Sequence, residues 1–287
     1  MRIGNRKVII CMWINVTHMG ANVLKAMGAF GREMNATLPR EDGEYKITIN
    51  TAGAAFELYI KEALTGAWGS SYSSSFSWLG NQNFPPDAIS KEGDAYEIKK
   101  HESPRGIVAL NSSPPKDMLY KSDQRITGEC RNAMGADAMD LFYVVGHTSG
   151  AAVKSVYFVQ GTCYAASPHV YDKISIPLAD SVKAAIRNAG LESAKTTELG
   201  RVARADPLGR ASLRVRGMWQ IVSPSIAFAE IAPLDPGKSF QAYAIMLESK
   251  LAAMGKIPDG VECSDAEVPD PNNPAKMLRA KVLEASW

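Results

Sequence analysis

Cysteine is scarce and scattered. Cys11, Cys130, Cys163 and Cys263 lie far apart with no C-x-x-C pair among them. That excludes a zinc knuckle or ribbon and argues against a disulfide-stapled secreted scaffold. An excess of one charge is also missing: 32 Lys+Arg face 30 Asp+Glu, a formal charge of +2 at pH 7. The balance excludes an overall cationic coating but leaves room for a local basic groove. No apolar run reaches the roughly 18–20 residues of a membrane-spanning helix. There is no G-x-S-x-G elbow for a serine hydrolase, and His18, His101, His147 and His169 lack metal-ligand spacing. Residues 232–239 satisfy a permissive phosphate-loop pattern, yet two prolines remove amide donors from the cradle and the first glycine is absent.

What is present is an ordinary globular balance. Hydrophobic residues make up 46% and charged residues 22% of 287 positions, enough to build a sizeable core. A soluble, cytoplasmic protein is the expectation. At the start of the chain, Arg2, Arg6 and Lys7 precede the apolar residues 8–16, in the manner of a short signal sequence without its small-x-small cleavage site. A buried first strand and a natural start at Met19 are the competing readings. The expected organisation is an extension over residues 1–18 followed by one domain over residues 19–287.

Apolar spacing predicts a helix over residues 20–33 and a second starting near Thr51, whose hydroxyl would cap it. The second helix presents Phe56, Tyr59, Ile60 and Leu64 at helical offsets. Residues 66–80, rich in serine and aromatics, read as a loop or an irregular strand pair. Strands are predicted over residues 87–90, 96–100, 141–147, 153–160, 211–222 and 242–247, and helices near residues 126–134 and 178–188. The proline-rich stretch 258–274 is expected to run extended over the surface. Strands mixed with helices in one chain give an α/β or α+β class, with a mixed central sheet flanked by helices.

The most informative stretch is residues 83–100, NFPPDAISKEGDAYEIKK. Gly93-Asp94 between two β-like runs signals a hairpin, which would set Asp87 beside Glu97. Glu97 and Lys99 leave one face of their strand, while Ile98 points into the core. Two carboxylates with a lysine suit metal-assisted phosphodiester hydrolysis. The carboxylates offer hard oxygen ligands to Mg²⁺, and the lysine orients or helps deprotonate the attacking water and offsets charge at phosphorus. Glu57, on the preceding helix, would complete the metal site from the opposite side. Taken alone, the pattern also describes an exposed hairpin carrying ordinary surface charges.

The surrounding blocks resemble the NgoPII-type restriction endonucleases. They are LGNQNFPPDAI over residues 79–89 with GDAYEIKK over 93–100, ALNSSPPK over 109–116 with Leu119-Tyr120, and VVGH over 144–147. TELGRV over 197–202, DPLG over 206–209, LRVRGMW over 213–219 and PNNPAK over 271–276 follow in the same order. Phe84 stands where a more polar residue is expected, and residues 1–18 have no counterpart. The resemblance implies a type II restriction enzyme with a PD-(D/E)xK core, Mg²⁺ as cofactor and a homodimer acting on a palindrome, GGCC for this family. It implies Asp87, Glu97 and the Ile98 carbonyl as metal ligands, Lys99 as the catalytic lysine, Glu57 as a further acidic residue, and a partner DNA methyltransferase. A catalytically silent DNA-binding protein on the same scaffold is the alternative.

For DNA contacts, residues 195–216 hold six basic side chains, Lys195, Arg201, Arg204, Arg210, Arg214 and Arg216, against Glu198 and Asp206. Strand alternation puts Arg214 and Arg216 on one face with Cα atoms roughly 6.6 Å apart. That suits two adjacent guanines, since arginine binds guanine O6 and N7 bidentately. Phosphate contact is the competing reading for this pair and the preferred one for Arg201, Arg204 and Arg210. Asn111, Ser112, Ser113, Lys116 and Lys121 are expected to form a backbone-contact loop. His101 faces either the scissile phosphate or a structural partner.

Overall fold

The computed structural model describes residues 20–32, 49–66, 72–81, 84–104 and 106–287. The proposed first strand over residues 8–16 lies outside them. Helices α1 (Val23–Gly31) and α2 (Ile49–Thr65) precede β1 (Phe76–Asn81), β2 (Phe84–Ser90) and β3 (Ala95–His101). Next come β4 (Ile107–Asn111), β5 (Met118–Tyr120), α3 (Gly128–Ala133), β6 (Ala138–Ser149) and β7 (Ala152–Gln160). After α4 (Pro168–Asn188) lie the short strands β8 (Gly200–Val202), β9 (Leu213–Val215) and β10 (Trp219–Val222), then α5 (Pro224–Ala227). The last elements are β11 (Gln241–Leu247), α6 (Glu248–Met254) and a hairpin of β12 (Glu262–Asp270) and β13 (Asn273–Ser286). Among the described residues no helix is long and apolar enough to cross a membrane.

The principal sheet runs β1-β2-β3-β6-β7-β11-β13-β12, with β5 paired to β6 off that path. β3 is parallel to β6 and β7 to β11, while the other neighbours are antiparallel. This is a mixed α/β architecture, a central sheet flanked by helices. Alternation along β6 divides the hydrophobic interior. Phe142 and Val144 face α1 and α2, where they meet Phe30, Phe56, Tyr59 and Ile60. Leu141, Tyr143 and Val145 face the other side, against Val108, Leu110, Leu119 and Cys130. Asn22 caps α1 by accepting from the Lys25 amide at 2.9 Å. Thr127 does the same for α3 through the Cys130 amide at 3.1 Å.

Several expectations are corrected. Helix α2 begins at Ile49, so Thr51 lies inside its first turn and not at its cap. Within residues 66–80, Phe76 opens a true strand, β1, paired antiparallel to β2. Helix α4 starts ten residues earlier than predicted, with Pro168 in its first turn, a position where proline loses no intrahelical hydrogen bond. The alternating stretch 211–222 is two strands, β9 paired to β8 and β10 paired to β4. The chain changes partner at Gly217-Met218, so a single strand face does not run through it. The stretch 258–274 is extended and largely exposed as expected, and most of it is β12, which pairs along β13 as the edge strand of the main sheet.

Candidate active site

The β2–β3 hairpin turns at Gly93, whose φ of +102° suits glycine. Its register pairs Ala88 with Tyr96 and Ile89 with Ala95, which carries Asp87 to a place opposite Glu97. The Ile98 amide donates to Asp87 Oδ2 at 2.6 Å. Lys99 Nζ lies 2.6 Å from Glu97 Oε1 and 3.5 Å from Asp87 Oδ2. Tyr96 and Ile98 are buried on the α1–α2 side, so alternation turns Glu97 and Lys99 to the opposite face. Three residues that the sequence singles out thus meet at one place, with the apolar backing expected beneath them.

The electrostatics of this trio are strained in one direction. Burial, and next the charge of Glu97, push the Asp87 carboxyl up to about 7, against the opposing pull of Lys99 and the Ile98 amide. Burial works to lower the proton affinity of Lys99, but Glu97 and then Asp87 outweigh it and hold the ammonium above its ordinary value. Two carboxylates therefore share one cation in a partly dehydrated pocket. A hard divalent ion would relieve that excess negative charge, and it favours such oxygen donors.

Glu57 is not part of this cluster by contact. Its carboxylate pairs with Lys61 one turn along α2, and α2 covers the sheet face opposite to Glu97 and Lys99. Its charge still bears on Asp87, as the smallest of the influences raising that carboxyl. Among the described residues no three His, Cys, Asp or Glu side chains converge on a common ion position. The carboxylates that meet here are those of Asp87 and Glu97.

The candidate DNA-contact residues divide in two. Asn111, in the left-handed region at φ +54°, ends β4 opposite Trp219 of β10. Ser112 accepts from Arg216 Nε at 3.2 Å. Ser113, together with Pro86, Leu110 and Tyr143, lines a small cleft into which Glu97 opens. The loop is anchored by Tyr143, whose hydroxyl accepts from the Lys116 amide at 2.8 Å and donates to its carbonyl at 3.1 Å. Lys116 itself presents no free ammonium: it is buried and paired with Asp123. Lys121 sits half-buried after β5, its carbonyl accepting from Arg131 Nε at 3.1 Å. His101 is half-buried at the end of β3, its ring 6.2 Å from that of His147. Burial first, and His147 second, lower its pKa, which favours neutral imidazole.

Arg201 and Arg214 are register partners on β8 and β9. Arg204 and Arg210 are exposed on the connecting loop, where Asp206 accepts from the amides of Leu208 at 2.8 Å and Arg210 at 3.2 Å. Three contributors carried no strong sequence signal. Tyr143 ties β6, the neighbour of β3, to the loop, and Glu198 joins Arg214 to Arg216. Gly146 lets α2 approach the sheet. Gly146 and Glu198 lie inside the resembling blocks and Tyr143 directly precedes one, so the family blocks were the signal that could have marked them.

The mixed sheet, its flanking helices and the hairpin bearing Asp87, Glu97 and Lys99 define the restriction-endonuclease-like class of protein. The sequence model of the NgoPII restriction endonuclease family matches residues 21–265. The type II restriction enzyme NgoPII of Neisseria gonorrhoeae is 37% identical over 250 residues, covering 82% of this chain and 88% of that relative. The chain belongs to the NgoPII family of type II restriction endonucleases. No solved structure matches it significantly.

Proposed function

We propose that this enzyme uses Mg²⁺ to hydrolyse phosphodiester bonds of double-stranded DNA within a short GC-rich palindrome, GGCC, leaving 5′-phosphate ends. The observation that carries the reading is the meeting of Asp87, Glu97 and Lys99 on one face of the β2–β3 hairpin. Asp87, Glu97 and the Ile98 carbonyl would hold the ion, with Glu57 contributing charge from across the sheet. When bound, Mg²⁺ polarises the phosphoryl oxygen and lowers the pKa of a coordinated water. The two carboxylates hold the Lys99 ammonium above its ordinary value, which suits a hydrogen-bond donor and positive charge that orients the nucleophile and offsets charge at phosphorus.

Arg214 and Arg216 are the base-reading candidates, supported by their exposure and their adjacency on one side of Glu198. Arg201, Arg204, Arg210, Asn111, Ser112, Ser113 and Lys121 fit phosphate or sugar contact. A palindrome cut on both strands calls for two active sites related by two-fold symmetry, hence a homodimer. Because the host's own DNA carries the site, a methyltransferase modifying the same sequence is its expected cellular counterpart. Incubation with unmethylated plasmid and Mg²⁺, beside an EDTA control, followed by sequencing of the ends, tests the reading. Discrete ends at GGCC support it, and discrete ends elsewhere remove the inherited specificity. DNA binding without metal-dependent cutting points to a silent scaffold.

A further inference from the structure

Glu198 is an acidic side chain in the middle of a basic surface. Its Oε2 accepts from Arg214 Nε at 2.9 Å and its Oε1 from Arg214 Nη2 at 2.5 Å. The same Oε1 lies 3.0 Å from Arg216 Nε, which also reaches Ser112 Oγ at 3.2 Å. The Glu198 side chain is only 8% exposed, covered by arginines that are themselves 56% and 55% exposed. Hydrogen bonding from Arg214 is the largest influence on its carboxyl; burial opposes it, and the charges of Arg214, Arg216 and Arg201 add to the downward pull, which leaves the carboxyl below the usual range. It is ionised. The patch's other acid, Asp206, spends its oxygens on backbone amides of its own loop.

A guanidinium carries five N–H donors in a planar fork. Glu198 occupies the Nε edge of Arg214, while the Arg216 Nε donates to Ser112 and lies in ion-pair contact with Glu198, which leaves the end-on Nη pair of each arginine for another partner. Among the described residues no other carboxylate forms an ion pair with either arginine. A surface meant only to attract phosphates gains nothing from a carboxylate, which repels the polyanion. A surface meant to read bases gains orientation, because a bare arginine samples many rotamers and a buttressed one does not. We propose that Glu198 is a positioning residue for sequence recognition, fixing Arg214 and Arg216 so that their outer edges form guanine-reading forks. The inference rests on the reading of these two arginines as base contacts. Through Ser112, the loop to Lys116 and Tyr143, the clamp is also continuous with the strand beside Glu97, so the read-out face keeps a set distance from the candidate active site.

The test compares wild type, Glu198→Gln and Glu198→Asp by fluorescence anisotropy in EDTA, so that no cutting intrudes. Each protein is titrated with a GGCC duplex and with a duplex changed at one G·C pair. Glu198→Gln keeps shape and removes charge, while Glu198→Asp keeps charge and loses reach. The expected result for both variants is a loss of about tenfold or more in affinity for GGCC. Affinity for the altered duplex should stay level or rise slightly. A rise on both duplexes for Glu198→Gln, with wild-type behaviour for Glu198→Asp, would reduce Glu198 to a surface charge and overturn the inference. Equal losses on both duplexes would overturn it too, as would an unchanged ratio. If wild type itself fails to prefer GGCC, the base-reading assignment falls first and takes this inference with it.

Discussion

Phe56 of α2 lies directly over Gly146 of β6: a Cβ at position 146 would fall 2.0 Å from the Phe56 Cζ. The missing side chain sets how closely α2, with Glu57 next along it, can approach the sheet. Gly146→Ala is therefore expected to destabilise the protein by about 1–3 kcal/mol through overpacking. Adding Phe56→Leu to that variant should recover part of the loss. Urea unfolding of the two variants and wild type checks both statements; equal stability of Gly146→Ala and wild type would refute the contact's role.

The raised Asp87 carboxyl predicts a trade between stability and function. Its folded pKa of about 7 exceeds the ordinary carboxylate value, chiefly through burial. Between pH ~4 and ~7 the folded state thus binds more protons than the unfolded state, and stability falls as pH rises through that window. Asp87→Asn should accordingly raise the melting temperature of the metal-free enzyme by several degrees at pH 8. At pH 4 the difference should vanish, and the variant should be inactive throughout. In wild type, Mg²⁺ binding followed by calorimetry should release protons at pH 6.5, where that carboxyl is still mostly protonated.

Lys99→Ala removes the ammonium that both carboxylates share. Cleavage should fall by roughly 10²–10³-fold, in line with the loss of one preorganised electrostatic donor. Affinity for GGCC measured in EDTA should change little. Normal cutting by this variant would displace the active-site assignment.

Arg214→Ala and Arg216→Ala should each weaken binding to GGCC by about 1–3 kcal/mol while hardly affecting random DNA. Arg204→Ala, on the exposed loop, should instead weaken both equally and reduce the steepness of the salt dependence. Equal losses on both DNAs for Arg214→Ala would move that residue to the phosphate class.

Lys250 ties α6 to the sheet, 2.5 Å from Asp94 Oδ1 and 2.8 Å from Asp140 Oδ2. Lys250→Met leaves two carboxylates without their cation, at an expected loss of about 3 kcal/mol at neutral pH. Burial already raises the Asp94 carboxyl, and without Lys250 it rises further. The deficit should therefore shrink as pH falls towards 5, a trend that melting curves across pH would display or refute.

What could be read from sequence is what depends on neighbours along the chain. Asp87, Glu97 and Lys99 fall within thirteen residues around one turn, so a period of two and a glycine at the turn suffice to bring them together. The apolar stripe Phe56, Tyr59, Ile60 and Leu64 is likewise local, and all four are fully buried. The trio of two carboxylates and a lysine, the mixed α/β class and the family itself were legible for that reason.

Tertiary structure decided the rest, because periodicity says which face a residue takes but not which element covers that face. Glu57 was expected to complete the metal site from the opposite side; packing pairs its carboxylate with Lys61 one turn along α2 while its charge still reaches Asp87. Residues 211–222 alternate as one strand, yet β9 pairs with β8 and β10 with β4. Arg216 meets Ser112 across 104 positions of chain, and Lys116 turns inward to Asp123 where a free surface lysine was expected. Contacts at such separations come from how whole hydrophobic faces stack, and it is this stacking that brings the arginines around Glu198 to the loop beside β3 and β6.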